Sequence, residues 1–85
     1  PYALRRAGPD LLYAKNQTAL TPEQRERLSE VLVAVVRNPG YVVEVAGSHD
    51  STEQDSVSAS RIRAVVSFLQ TNGIPLSRIM ERDYQ

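Results

Sequence analysis

Val42-Val43-Glu44-Val45-Ala46-Gly47-Ser48-His49-Asp50-Ser51 is the stretch whose reading decides the fold. Residues 41–46 are short, β-branched and bounded by Gly40 and Gly47, which predicts a strand. Only Glu44 interrupts its apolar character, so one face should be buried, and much of the other with it. Gly47 reads as a tight turn that delivers Asp50. The polar residues 48–56 read as a loop. A helix should begin within residues 55–58 and run to Asn72, because Ile62, Val65, Val66 and Leu69 recur at i, i+3, i+4, i+7. Asn72-Gly73 supplies its stop, Ile74 can pack back on the last turn, and Pro75 prevents continuation. Residues 79–84 are then a further strand, parallel to the first and joined to it by a right-handed crossover. A small ligand, if one is bound, is expected between Asp50 and Arg61 at the start of this helix.

Upstream, Thr21-Pro22-Glu23-Gln24 is a helix start of three agreeing signals. Thr21 is a good N-cap, Pro22 sits at N1, and Gln24 completes a capping box at N3. The stripe Leu28, Val31, Leu32, Val35 gives that helix one buried face, and Asn38-Pro39-Gly40 stops it. Arg25, Glu26, Arg27 and Glu30 form its solvated face. The brief apolar run of residues 11–14 suits a first strand, bounded by Asp10 and Lys15-Asn16-Gln17. Tyr2-Ala3-Leu4 can add an edge strand. The order is β-α-β-α-β, one α+β domain over residues 1–85 in which 1–9 are an N-terminal extension or edge strand. Its two layers put the helices on one face of a mixed sheet.

Composition narrows the partners. Ten basic residues balance ten acidic ones, so there is no electrostatic footprint for nucleic acid. The absence of cysteine excludes disulfides and thiolate metal sites, and fits cytoplasm and periplasm equally. No apolar run approaches the roughly 20 residues that span a bilayer, so no direct membrane insertion is expected. The chain opens at Pro1-Tyr2 with neither initiator methionine nor signal peptide, and is read as a fragment of a longer protein.

Several stretches together resemble the C-terminal domain of the OmpA family of peptidoglycan-binding proteins. They are Ala19-Leu20-Thr21-Pro22-Glu23 at the first helix start, Asn38-Pro39 before the valine-rich strand, and Gly47-Ser48-His49-Asp50-Ser51 after it. Val57-Ser58-Ala59-Ser60-Arg61 and Asn72-Gly73-Ile74-Pro75-Leu76-Ser77-Arg78-Ile79 complete the match. The resemblance implies a non-catalytic module that recognises the diaminopimelate stem peptide of peptidoglycan. By position, Asp50 would meet the ligand's ammonium and Arg61 its carboxylate, with Asn16, Ser51 and Ser58 completing the binding set. A zwitterion does need one anion and one cation at fixed separation, and a guanidinium can grip a carboxylate through two parallel bonds. Backbone N–H groups at the second helix start would add to the carboxylate's binding.

The sequence departs from the family pattern in five ways. The connection from Asp50 to Arg61 is shorter than usual, and the asparagine that normally precedes the serine-arginine motif has no counterpart. The residue before Asp50 is the bulkier His49, and Ala14 stands where an acidic residue is common. A final strand is missing or replaced, with residues 2–6 a candidate to complete the sheet.

Blander readings stand beside the sharp ones. Asp50 and Arg61 could form a surface ion pair bracing the loop, worth about 0–1 kcal/mol. Arg63 flanks the same apolar stripe, and only the family alignment prefers Arg61. Ser48-His49-Asp50 holds the letters of a catalytic triad, but neighbours in extended chain point to opposite sides, so no catalytic residue is assigned. His49 is the only histidine and reads as a solvated loop residue; neither metal nor cofactor is expected.

The expectation is therefore a periplasmic peptidoglycan-binding domain. It would anchor an envelope protein to the wall through an inner- or outer-membrane tether lying outside residues 1–85. The alternative is a divergent domain of the same fold that binds other envelope proteins or forms a homodimer.

Overall fold

The computed structural model describes residues 11–48, 50–54 and 56–84, with the Tyr84 side chain excepted. The expected edge strand at Tyr2-Ala3-Leu4, and the reading of His49, lie outside the described residues.

Helix α1, Pro22–Arg37, starts where the sequence predicts. The Gln24 N–H donates to Thr21 Oγ1 at 3.2 Å, and the Thr21 N–H donates to Gln24 Oε1 at 2.9 Å. This reciprocal pair satisfies two of the N–H groups that a helix start leaves without partners. Leu28 and Val35 are buried and Val31 and Leu32 partly so, matching the predicted stripe. At the other end, Asn38 Nδ2 donates to the Ala34 carbonyl at 2.6 Å.

Strand β1 is Val43–Ser48 and strand β2 is Ile79–Tyr84; they pair in parallel, from Val43 opposite Ile79 to Ser48 opposite Tyr84. Helix α2, Ser56–Thr71, makes the crossover between them. It ends as Asn72-Gly73-Ile74 predicts. Gly73 sits at φ 99°, its N–H donates to the Gln70 carbonyl, and the Ile74 N–H reaches the Leu69 carbonyl, both at 3.0 Å. This is the two-bond closure in which the glycine takes the left-handed position and the next apolar residue folds back. Ile74 is accordingly only 3% exposed.

Two helices and a parallel strand pair thus form a small α+β unit around Leu28, Val35, Val45, Ile62, Val65, Val66, Leu69 and Ile74. Burial alternates along β1, with Val45 inside and Glu44, Ala46 and Ser48 outside. One face therefore carries the core and meets both helices. The other is open, contrary to the expectation of burial on both sides, and Val42 just before the strand is 54% exposed.

Two further expectations change. The strand begins and ends two residues later than residues 41–46, and Gly47 lies inside it rather than in a turn. A Cβ built on Gly47 would stand 2.5 Å from Ile62 Cγ1, 2.9 Å from Ile62 Cδ1 and 3.1 Å from the Ser58 carbonyl oxygen. The glycine is there because α2 crosses β1 too closely for a side chain.

Residues 11–14 make no ladder with β1 or β2. Their carbonyls are taken by side chains instead: Gln24 Nε2 donates to the Leu12 carbonyl at 2.8 Å and Arg61 Nη2 to the Ala14 carbonyl at 3.2 Å. The described sheet is consequently two-stranded and parallel rather than mixed.

Candidate functional site

The segment before α1 turns sharply at Asn16, which adopts the left-handed region at φ 63°, a conformation asparagine tolerates better than most residues. Gln17 closes that turn. Its N–H donates to the Ala14 carbonyl at 3.0 Å, and its Oε1 accepts from the Ala14 N–H at 2.9 Å. Across from it, the chain leaving β1 folds into a second turn. Asp50 Oδ1 accepts from the Thr52 N–H at 3.1 Å and from Thr52 Oγ1 at 3.2 Å, and the Glu53 N–H donates to the Asp50 carbonyl at 2.9 Å. Asp side chains stabilise such turns by bonding their own backbone two residues on.

The second turn of α2 sends Arg61 between these two loops. Its five N–H donors are all engaged. Nε donates to the Gln17 carbonyl at 2.8 Å; Nη1 donates to the Ser48 carbonyl and to Glu53 Oε1, both at 3.2 Å. Nη2 donates to the Ala14 carbonyl at 3.2 Å and to Glu53 Oε2 at 2.9 Å. The guanidinium carbon also lies 4.6 Å from the centre of the Tyr13 ring, a cation–π distance. The Tyr13 hydroxyl is buried with no hydrogen-bond partner among the described residues, and burial raises its pKa while the Arg61 charge pulls it back.

Glu53 is the centre of this constellation, and the sequence reading did not single it out. Its carboxylate takes both Nη groups of Arg61 in fork geometry, the Asp50 N–H at 2.8 Å and the Asn16 N–H. The two side chains are 9% and 2% exposed, so this is a buried ion pair. The N–H donors of Asn16 and Asp50, then the Arg61 guanidinium, stabilise the anion against the opposing effect of burial. They hold the carboxyl down to about 2. Asp50-Ser51-Thr52-Glu53 did carry a signal: an Asp followed three residues later by a Glu is the capping-box pattern. Here half of that geometry, Glu53 side chain to Asp50 N–H, is built outside a helix, while the Glu53 N–H goes to the Asp50 carbonyl and the Asp50 carboxylate to Thr52.

The predicted binding residues fall into distinct places. Arg61 is at the centre, facing inward, and the described ion pair joins it to Glu53 rather than to Asp50. Asp50 is exposed with its carboxylate on Thr52, and Ser51 is exposed in the same turn. Asn16 is brought to the site through its backbone. Ser58 is fully enclosed where α2 crosses Gly47. Tyr13, Lys15, Asp50, Glu53 and Arg61 line one end of a cleft of about 760 Å³ that runs on along β1.

The sequence model of the OmpA family matches residues 12–83, which includes every element of this site. The chain belongs to the OmpA family. In structure it is similar to the OmpA-like domain of FopA1 from Francisella tularensis, with a TM-score of 0.74 over 85% of this chain and 52% of that one. The chain thus spans about half the length of that structure, and at 15% identity the likeness is one of fold. No curated protein matches the sequence. OmpA-like domains commonly bind peptidoglycan, are typically non-catalytic and are typically associated with the cell envelope. Among the described residues no helix is long and apolar enough to cross a membrane.

Proposed function

We propose that this OmpA-like domain is a periplasmic peptidoglycan-binding module that recognises the diaminopimelate stem peptide and anchors an envelope protein to the wall. The observation that carries the reading is the grip on Glu53. Arg61 already holds a carboxylate through two parallel bonds, beside two converging backbone N–H groups, at the end of a cleft whose rim carries the exposed carboxylate of Asp50. A cation that binds carboxylates and an anion open to solvent suit a zwitterionic amino-acid end. Asp50 takes the ammonium and Arg61 the carboxylate, Asn16 and Ser51 frame them, and Ser58 fixes the helix start beneath. A lysine-type wall lacks the second carboxylate and should bind weakly.

Co-sedimentation with purified sacculi tests the proposal. The domain should pellet with diaminopimelate-type sacculi, and Asp50→Ala should release it. Retention of Asp50→Ala at the wild-type level, in a variant shown by circular dichroism to be folded, would overturn the assignment of that residue.

The second reading is a protein-interaction or homodimerisation module. It is favoured by the sheet's having two strands among the described residues and by the exposed Leu12, Val42 and Met80, since sheet edges and apolar surface invite a partner chain. A concentration-dependent dimer that ignores sacculi would select it.

A further inference from the structure

The carboxylate subsite has an occupant that belongs to the chain itself. Four donors converge on Glu53: Arg61 Nη1 and Nη2, and the N–H groups of Asn16 and Asp50. Asn16 and Arg61 lie outside the turn that carries Glu53, Asp50 opens that turn, and all three are residues proposed above to meet the ligand. Arg61 does not depend on Glu53 alone for its position. The carbonyls of Ala14, Gln17 and Ser48 hold three of its N–H groups, leaving the other two directed at the Glu53 carboxylate. Glu53, in contrast, is carried by a short surface turn whose neighbours Ser51, Thr52 and Gln54 are exposed. Arg61 is built into the core edge, and the occupant hangs from a loop that also carries the Asp50 N–H.

Resting on the peptidoglycan reading, we propose that Glu53 is an internal stand-in for the ligand's carboxylate, so that the stem peptide binds by displacing the Glu53 side chain from Arg61. The exchange replaces one carboxylate by another on the same donors, so the buried guanidinium is paired with an anion both before and after binding. Glu53 thereby sets the specificity and the strength of the site. A ligand without a carboxylate cannot displace it, and one that has the carboxylate binds only to the fraction of molecules with the turn open. If that fraction is about 1–10%, the apparent affinity is lowered about 100- to 10-fold from its intrinsic value.

The test uses two variants and three probes. In Glu53→Ala the subsite is vacated, and acetate or meso-diaminopimelate should raise the melting temperature in a saturable way. Sodium chloride at equal ionic strength should not, and wild type should respond far less to acetate. If Glu53→Ala does not fold unaided, recovery of helical circular dichroism on adding acetate is the same result. In Glu53→Gln the amide nitrogen cannot accept from the converging donors, so the variant should bind diaminopimelate-type sacculi about 10- to 100-fold more tightly than wild type. Acetate and chloride acting alike on Glu53→Ala, or Glu53→Gln binding sacculi no better than wild type that itself binds, would overturn the inference. Saturable rescue by acetate with no sacculus binding by any variant would instead uphold the carboxylate subsite and remove the peptidoglycan reading.

Discussion

Gly47→Ala places the tightest demand on the fold, because the added methyl group has a defined collision. It would sit 2.5 Å and 2.9 Å from the Ile62 side chain and 3.1 Å from the Ser58 carbonyl oxygen. Ile62 is 5% exposed and packed in the core with Val45, Val65 and Val66, so it has little room to rotate away. The Ser58 oxygen is helix backbone and yields only if α2 moves. Inserting a methyl group into a packed core costs about 1–3 kcal/mol. For a domain of this size that lowers the melting temperature by roughly 4–24 °C. Thermal unfolding followed by circular dichroism reads the effect. A double-mutant cycle then shows whether the cause is the one named. Ile62→Ala alone should cost about 2–5 kcal/mol, but it removes the atoms that the new methyl group strikes. The double variant should therefore be less destabilised than the sum of the two singles. Additive losses, or a Gly47→Ala variant that melts with wild type, would refute the close-approach account of this glycine.

The remaining predictions follow from the charged groups. Arg78 donates from Nη2 to the carbonyls of Val35, Asn38 and Tyr41 and from Nε to Tyr41, at 2.9–3.1 Å, capping the negative end of α1. Arg78→Ala should cost about 1–3 kcal/mol in urea denaturation, and Arg78→Lys should recover only part of it because one ammonium cannot span three carbonyls. Glu53 has a folded pKa near 2, below its unfolded value of about 4.3, so its contribution to stability is present above the unfolded value. It is lost as the pH falls through the folded one. Melting temperatures should accordingly drop between about pH 4.5 and pH 2, and Glu53→Gln should flatten that part of the profile.

Most of the fold was legible where a local pattern has one structural meaning. Thr21, Pro22 and Gln24 fix the start of α1 because their cap is made within four residues. The stripes at 28–35 and 62–69 fix what each helix buries, and Gly73-Ile74 fix the end of α2. The crossover followed from strand, helix and strand in that order. What was not legible depended on partners distant in sequence. Residues 11–14 have a strand's composition, yet Gln24 and Arg61 take the carbonyls of Leu12 and Ala14, and neither residue is a neighbour in the chain. Gly47 read as a turn because nothing local reveals that α2 crosses there. Arg61 was found by family likeness, while its partner was misassigned among the blander readings as Asp50. The capping-box spacing of Asp50 and Glu53 was visible, but only the fold shows that the same carboxylate faces Arg61.

The most direct test of the central claim is a titration of the isotope-labelled domain with meso-diaminopimelate, followed by nuclear magnetic resonance. The account predicts saturable shifts of the Asn16 and Asp50 amide signals and of the Arg61 Nε–H, with the Glu53 side-chain carboxyl signal moving as its carboxylate leaves Arg61. Asp50→Ala should weaken the titration. A spectrum that does not change in these signals, or changes only along the β1 end of the cleft near Val42 and Val43, would contradict it.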